Sequence, residues 1–167
     1  KCYKSRKKPL LCHAAREKRL TKIFFYVNHH MQKRLWMLRH GQAAHNVLAD
    51  SARKAGCDFD TFLHLMTLDD AYDAPLTQLG TLEAKDAATR ADTHSAQPQI
   101  VLVSPLSRAL HTATIAFPRH TLARASFVCD ERLRERNGKL LNAKRRPKSE
   151  LERTFPSCDF SALADEF

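Results

Sequence analysis

Four aliphatic residues in a row, Ile100-Val101-Leu102-Val103, stand between Pro98 and the pair Ser104-Pro105. A β-branched run this short, bounded by residues that interrupt regular structure, reads as a strand, and its unbroken apolarity predicts a parallel strand buried on both faces. The period then changes: Pro105 can open a helix that continues through Leu106, Leu110 and Ile115. The unit recurs along the chain. Leu35-Trp36-Met37-Leu38 is an apolar run that stops at Arg39-His40-Gly41, and Val47, Leu48, Ala52 and Ala55 pattern a helix from Ala43 to Lys54 that Gly56 ends. Asp60 to Leu68 adds a helical turn or two. The loop Asp73-Ala74-Pro75-Leu76 delivers Thr77 as the N-cap of a helix reaching Thr93, with Leu76, Leu79 and Leu82 expected in the core. Ala125 to Cys129 is a third strand, ending at Asp130. Strands alternating with helices predict an α/β protein, a three-layer α/β/α arrangement around a mostly parallel sheet.

The length of 167 residues suits one domain. A formal charge of +10 suggests nucleic acid until the charges are located. Residues 1–33 carry ten Lys or Arg and one acid, Glu17, whereas residues 34–167 are nearly balanced. The basicity therefore belongs to an N-terminal extension, 1–33, expected to be disordered, and the folded domain, 34–167, has no basic face for nucleic acid. Acid-poor basic leaders also occur as organelle transit peptides, but this one has few Ser or Thr. The five cysteines show no CxxC spacing and no metal-ligand pattern, which fits a reducing, cytoplasmic setting. No apolar run approaches the length of a membrane span; the nearest, Ile23 to Val27, is five residues.

Chemistry-bearing residues fall where apolar strands end. Arg39 and His40 follow the first strand, Arg108 follows the second, and Glu135 follows the third. Open parallel sheets bind ligands off these strand ends. Two arginines, a histidine and a carboxylate gathered there suit a phosphate ester, because guanidinium forks match phosphate oxygens and stay charged. A helix opening just after His40 would also aim free N–H groups at an anion.

The same segments carry a family resemblance. Arg39-His40-Gly41-Gln42-Ala43-Ala44-His45-Asn46 resembles the RHGxxxxN signature of the histidine phosphatase superfamily, the phosphoglycerate mutase-like proteins. Asp73-Ala74-Pro75-Leu76-Thr77-Gln78-Leu79-Gly80 is similar to its D-x-PLTxxG, Ser104 to Ala113 to its SPLxRAxxTA, and Leu133-Arg134-Glu135-Arg136-Asn137-Gly138 to its L-x-E-x-x-G. The four motifs stand in family order. The resemblance implies a phosphoglycerate mutase-like fold and a phosphomonoester hydrolase acting on a small phosphorylated metabolite. His40 would form a phosphohistidine, Arg39 and Arg108 would clamp the phosphoryl oxygens, Asn46 would add a neutral donor, and Glu135 would be the general acid, with Glu131 a rival in the same charge run. Neither metal nor cofactor is expected, because the arginines neutralise the phosphate.

The chain departs from the family in one respect. The family places a second histidine after a later strand, but the last histidine here is His120. The expectation is a C-terminally truncated domain, with 142–167 belonging to a cap insertion and a strand lacking near the middle of the sheet. A mutase-type phosphotransferase and a non-catalytic phosphate-binding relative are the alternative functions. Gln42-Ala43, in place of the Glu-Ser of glycolytic mutases, favours the phosphatase. His45, His64, His94 and His111 have no motif partner and read as surface or helix-packing residues.

Overall fold

The structure, a computed structural model, describes residues 23–28, 33–94, 97–117, 119–135 and 140–165. In chain order they form β1 (Ile23–Asn28), β2 (Lys33–Leu38), α1 (Ala44–Lys54), α2 (Phe59–Leu65), α3 (Gln78–Thr93), β3 (Ile100–Val103), α4 (Ser107–Ala116), α5 (Arg119–Leu122), β4 (Ser126–Cys129) and α6 (Lys148–Thr154). Strands and helices are mixed along the chain, with β3 and β4 joined through α4 and α5, and β3 pairs with β4 in parallel, Ile100 opposite Ser126 and Val103 opposite Cys129. This is an α/β fold of the phosphoglycerate mutase-like kind. Strand β2 belongs to a separate sheet, where it pairs antiparallel with β1. A strand therefore falls inside the basic extension; residues 1–22 and 29–32 lie outside the described residues. Among the described residues, no helix is long and apolar enough to cross a membrane.

Side-chain alternation fixes which face of the parallel pair is buried. Val101, Val103, Phe127 and Cys129 point into the core, whereas Ile100 and Leu102 are exposed. The two-faced burial expected of β3 is thus not met among the described residues, because only one face is packed. That face is covered by Leu110 of α4 and, from the tail, by Leu151, Phe155, Phe160 and Leu163. Within the segment expected in a cap insertion, Leu151, Phe155, Cys158, Phe160 and Leu163 belong to this core. The tail also runs beside β4, where the Cys129 N–H donates to the Asp159 carbonyl and the Asp159 N–H to the Phe127 carbonyl.

A stripe of small residues, Gly80, Ala84, Ala87 and Ala91, is the buried face of α3, and it packs against α4. Spacings of four, three and four residues keep them on one side of the helix. Leu79 and Leu82 consequently project from the opposite side and are exposed. Their assignment to the core was incorrect: apolar character suggested it, but close approach of two helices selects the small residues instead.

Candidate active site

The turn after β2 is built on two glycines from different motifs. A Cβ on Gly41 would clash with the Gly80 carbonyl, and a Cβ on Gly80 would clash with the Gln42 main chain. The obstacles are backbone atoms, which have no side-chain freedom to move aside. Around this contact, Thr77 caps α3 by accepting from the Gly80 N–H at 3.0 Å, and its hydroxyl donates to Gln42 Oε1 at 2.8 Å. The Thr77 N–H donates to the Gln42 carbonyl and the Ala44 N–H to the Pro75 carbonyl, both at 3.0 Å. The PLT segment is therefore the brace of the RHG turn.

Four successive amides of that turn are committed to the protein. Gly41 N–H donates to Thr112 Oγ1, Gln42 N–H to Glu83 Oε2, Ala43 N–H to Asn46 Oδ1 and Ala44 N–H to the Pro75 carbonyl. The expected row of free amides facing an anion is not present at these positions, because neighbouring elements satisfy it. These four amides are thus already engaged within the protein.

His40 meets Arg108 and Glu135 at this point. His40 Nδ1 lies 2.7 Å from the Gly41 carbonyl, which can only accept, so Nδ1 carries the proton. Nε2 therefore holds a lone pair, and Arg108 Nε–H donates to it at 3.2 Å. Burial first, then the positive charges of Arg108 and Arg39, lower His40 to about 4. The imidazole is therefore neutral at pH 7. Arg108 is 1% exposed. Its Nη1 donates to the Asn142 carbonyl at 2.7 Å, and its Nη2 to Glu135 Oε2 at 2.8 Å. Burial pushes the guanidinium down while Glu135 and Asp73 push it up; Arg remains charged at neutral pH. Glu135 is half exposed, at the rim of the site.

Arg108 is held from both sides. Nothing in Leu106 can cap α4, so the Asp73 carboxylate, from a loop 34 residues earlier, accepts from the Ser107 N–H at 2.9 Å and the Ser107 hydroxyl at 2.6 Å. Asp73 is buried with φ 39°, a left-handed conformation uncommon for a non-glycine residue. Burial raises its pKa, while Ser107 and Arg108 oppose that shift. Thr112 Oγ1 donates to the Arg108 carbonyl at 2.7 Å while accepting from Gly41, tying α4 to the RHG turn. Glu131, the rival acid, is held between Arg134 and the buried Arg145, the latter at 3.0 Å. Its carboxylate has a structural task.

Among the sequence-identified residues, Arg108 is in direct contact with both His40 and Glu135. Arg39 is exposed, yet its charge reaches both His40 and His45. Asn46 spends its oxygen on Ala43 N–H at 3.0 Å and one amide hydrogen on His45 Nε2 at 3.1 Å. His45 lies in the site: it is buried, its ring centroid is 6.4 Å from that of His40, and burial, Arg108 and His40 lower it to about 4. Reading it as a surface or helix-packing residue missed this, and its place beside Asn46 in the motif was the only signal. Asp73 and Thr112 were visible as motif letters, but their bonds join segments far apart in sequence. Of the remaining histidines, His64 and His94 are exposed, and His111 packs edge-on against Phe155 at 4.8 Å.

No curated protein and no solved structure matches the chain. The family model described as histidine phosphatase superfamily (branch 1) matches residues 35–158, spanning the RHG turn, Asp73, Arg108 and Glu135. The chain belongs to the histidine phosphatase superfamily, whose chemistry is of the phosphatase and mutase type.

Proposed function

We propose that the protein hydrolyses the phosphomonoester of a small metabolite through a phosphohistidine at His40. The observation that carries this reading is the paired fixing of one imidazole: Nδ1–H tied to Gly41, and Nε2 presenting its lone pair beside the buried Arg108. In the first step Nε2 attacks phosphorus, a P–N bond forms, the ester P–O bond breaks, and Glu135 gives its proton to the departing oxygen. In the second, Glu135 takes a proton from water, the water oxygen attacks phosphorus, and the P–N bond breaks to release inorganic phosphate and restore His40. Arg108 and Arg39 stabilise the charge on the non-bridging oxygens in both steps. The incoming phosphoryl oxygens take over the Nη2 donor that Glu135 now occupies and the Nε–H that His40 Nε2 now accepts. This frees the imidazole lone pair for attack and lets the Glu135 carboxylate take up, from solvent or from the phosphomonoester monoanion, the proton it passes to the departing oxygen. Deep burial of Arg108 favours a terminal phosphoryl group, which can reach past the rim, over a diester.

Incubation with p-nitrophenyl phosphate at pH 5 to 7 without added metal, beside His40→Ala, tests the proposal. Turnover abolished by the substitution is expected. Turnover that survives it removes His40 from the mechanism. Phosphate binding without turnover in either protein favours the non-catalytic relative, and accumulation of a transferred phosphoryl group on an added acceptor favours the mutase.

A further inference from the structure

Asn46 determines the tautomer of its neighbour. Its Oδ1 accepts from the Ala43 N–H at 3.0 Å, so the atom lying 3.1 Å from His45 Nε2 is the amide nitrogen, a donor. His45 Nε2 must then accept, which puts the ring proton on Nδ1. The ring is 5% exposed, and among the described residues Nδ1 has no hydrogen-bond partner. A buried N–H without an acceptor is unfavourable and uncommon in folded proteins, so its persistence points to an acceptor beyond the described residues, which a bound ligand can supply. The charged and titratable groups whose fields reach the ring are Arg108, His40, Glu135 and Arg39, the groups that line the site around His40. With ring centroids 6.4 Å apart and planes tilted by 53°, the two imidazoles do not stack.

We infer that His45 is a phosphate ligand of this site, its Nδ1–H donating to a non-bridging oxygen of the phosphoryl group received by His40. The inference rests on the proposed phosphoryl chemistry and deepens it. A neutral N–H donor adds a directed contact without a further charge that would compete with Arg108. It also gives Asn46 a specific part: by occupying Nε2 it holds the His45 proton on Nδ1, a positioning role distinct from a direct phosphate contact.

The test is a titration of the ¹⁵N-labelled full chain with inorganic phosphate at pH 7, following the ring nitrogens of His40 and His45 by long-range ¹H–¹⁵N correlation. His45 is expected in the Nδ1–H form, with both rings shifting along one binding curve. An Nε2–H tautomer, or a His45 ring that stays unmoved while His40 responds, overturns the inference and leaves the phosphatase reading standing. If neither ring responds, the phosphate site itself fails and the inference falls with it. Two variants add a readout that packing alone would not give. His45→Phe should weaken phosphate by about tenfold or more, the effect of one hydrogen bond to a charged group. His45→Asn, whose amide nitrogen stands near the position of Nδ1, should recover most of that loss. Equal affinity in His45→Phe and the parent, or equal loss in both variants, contradicts it.

Discussion

Gly41 and Gly80, 39 positions apart, meet backbone to backbone, each occupying the volume where the other segment's main chain excludes a Cβ. Gly80→Ala should therefore cost about 1–3 kcal/mol, the usual penalty of forcing atoms into a packed site, and should displace the RHG turn. Urea denaturation of the variant checks the first effect, and phosphate affinity checks the second. A Gly80→Ala protein as stable as the parent would show that the two segments do not touch.

Glu131 and Glu135 sit four residues apart and have separate partners. Glu135→Gln should lower kcat strongly for an alkyl phosphate, whose leaving oxygen needs a proton, and much less for p-nitrophenyl phosphate, whose leaving group does not. Glu131→Gln should leave that contrast intact and reduce stability, since it loosens the bridges to Arg134 and Arg145. Rates for the two substrates in each variant decide it; a leaving-group effect in Glu131→Gln would exchange the roles.

Asp73 bears on the site by capping α4 and by its charge near Arg108. Asp73→Ala leaves the Ser107 N–H and hydroxyl without their acceptor and should cost about 1–2 kcal/mol as a lost helix cap. It should also lower kcat/KM, because Arg108 is the next residue. Asp73→Asn retains one acceptor oxygen and should recover part of both losses. Thermal melting and steady-state kinetics on the pair provide the check, and a kcat/KM unchanged in Asp73→Ala would separate the cap from the site.

Both site histidines impose a pH dependence on stability. Each titrates near 6.5 when unfolded and at about 4 when folded, so between those values the unfolded chain binds more protons. The stabilisation from keeping them neutral is complete above pH 6.5 and is lost as pH falls toward 4. Denaturation midpoints measured across pH 4 to 7 should fall on the acid side, and His45→Asn should flatten the slope. For activity, the nucleophile stays neutral well below pH 6.5, so the acid limb of kcat/KM assigned to His40 should lie near 4. An acid limb at 6.5 would mean that His40 is solvated.

The sequence carried the order of the elements well, because strand runs such as Ile100–Val103 and caps such as Thr77 are set by local chemistry. It was a poor guide to which side of an element is covered. Leu79 and Leu82 look like core residues until α3 is seen to approach α4 through Gly80, Ala84, Ala87 and Ala91. In the site, His40, Arg108 and Glu135 were legible as motif letters at strand ends. His45 was not, since its burial and its tautomer depend on Asn46 and on groups from three other segments. The capping of α4 by Asp73 was equally hidden, because one loop supplies what another lacks.

Acid-free quenching of the enzyme during turnover of p-nitrophenyl phosphate, followed by proteolysis and mass spectrometry, addresses the central claim most directly. One phosphoryl group is expected on the peptide bearing His40, lost on brief acid treatment, stable in base, and absent in His40→Ala. Turnover that proceeds with no phosphorylated His40 peptide, or with the label on another residue, would contradict it.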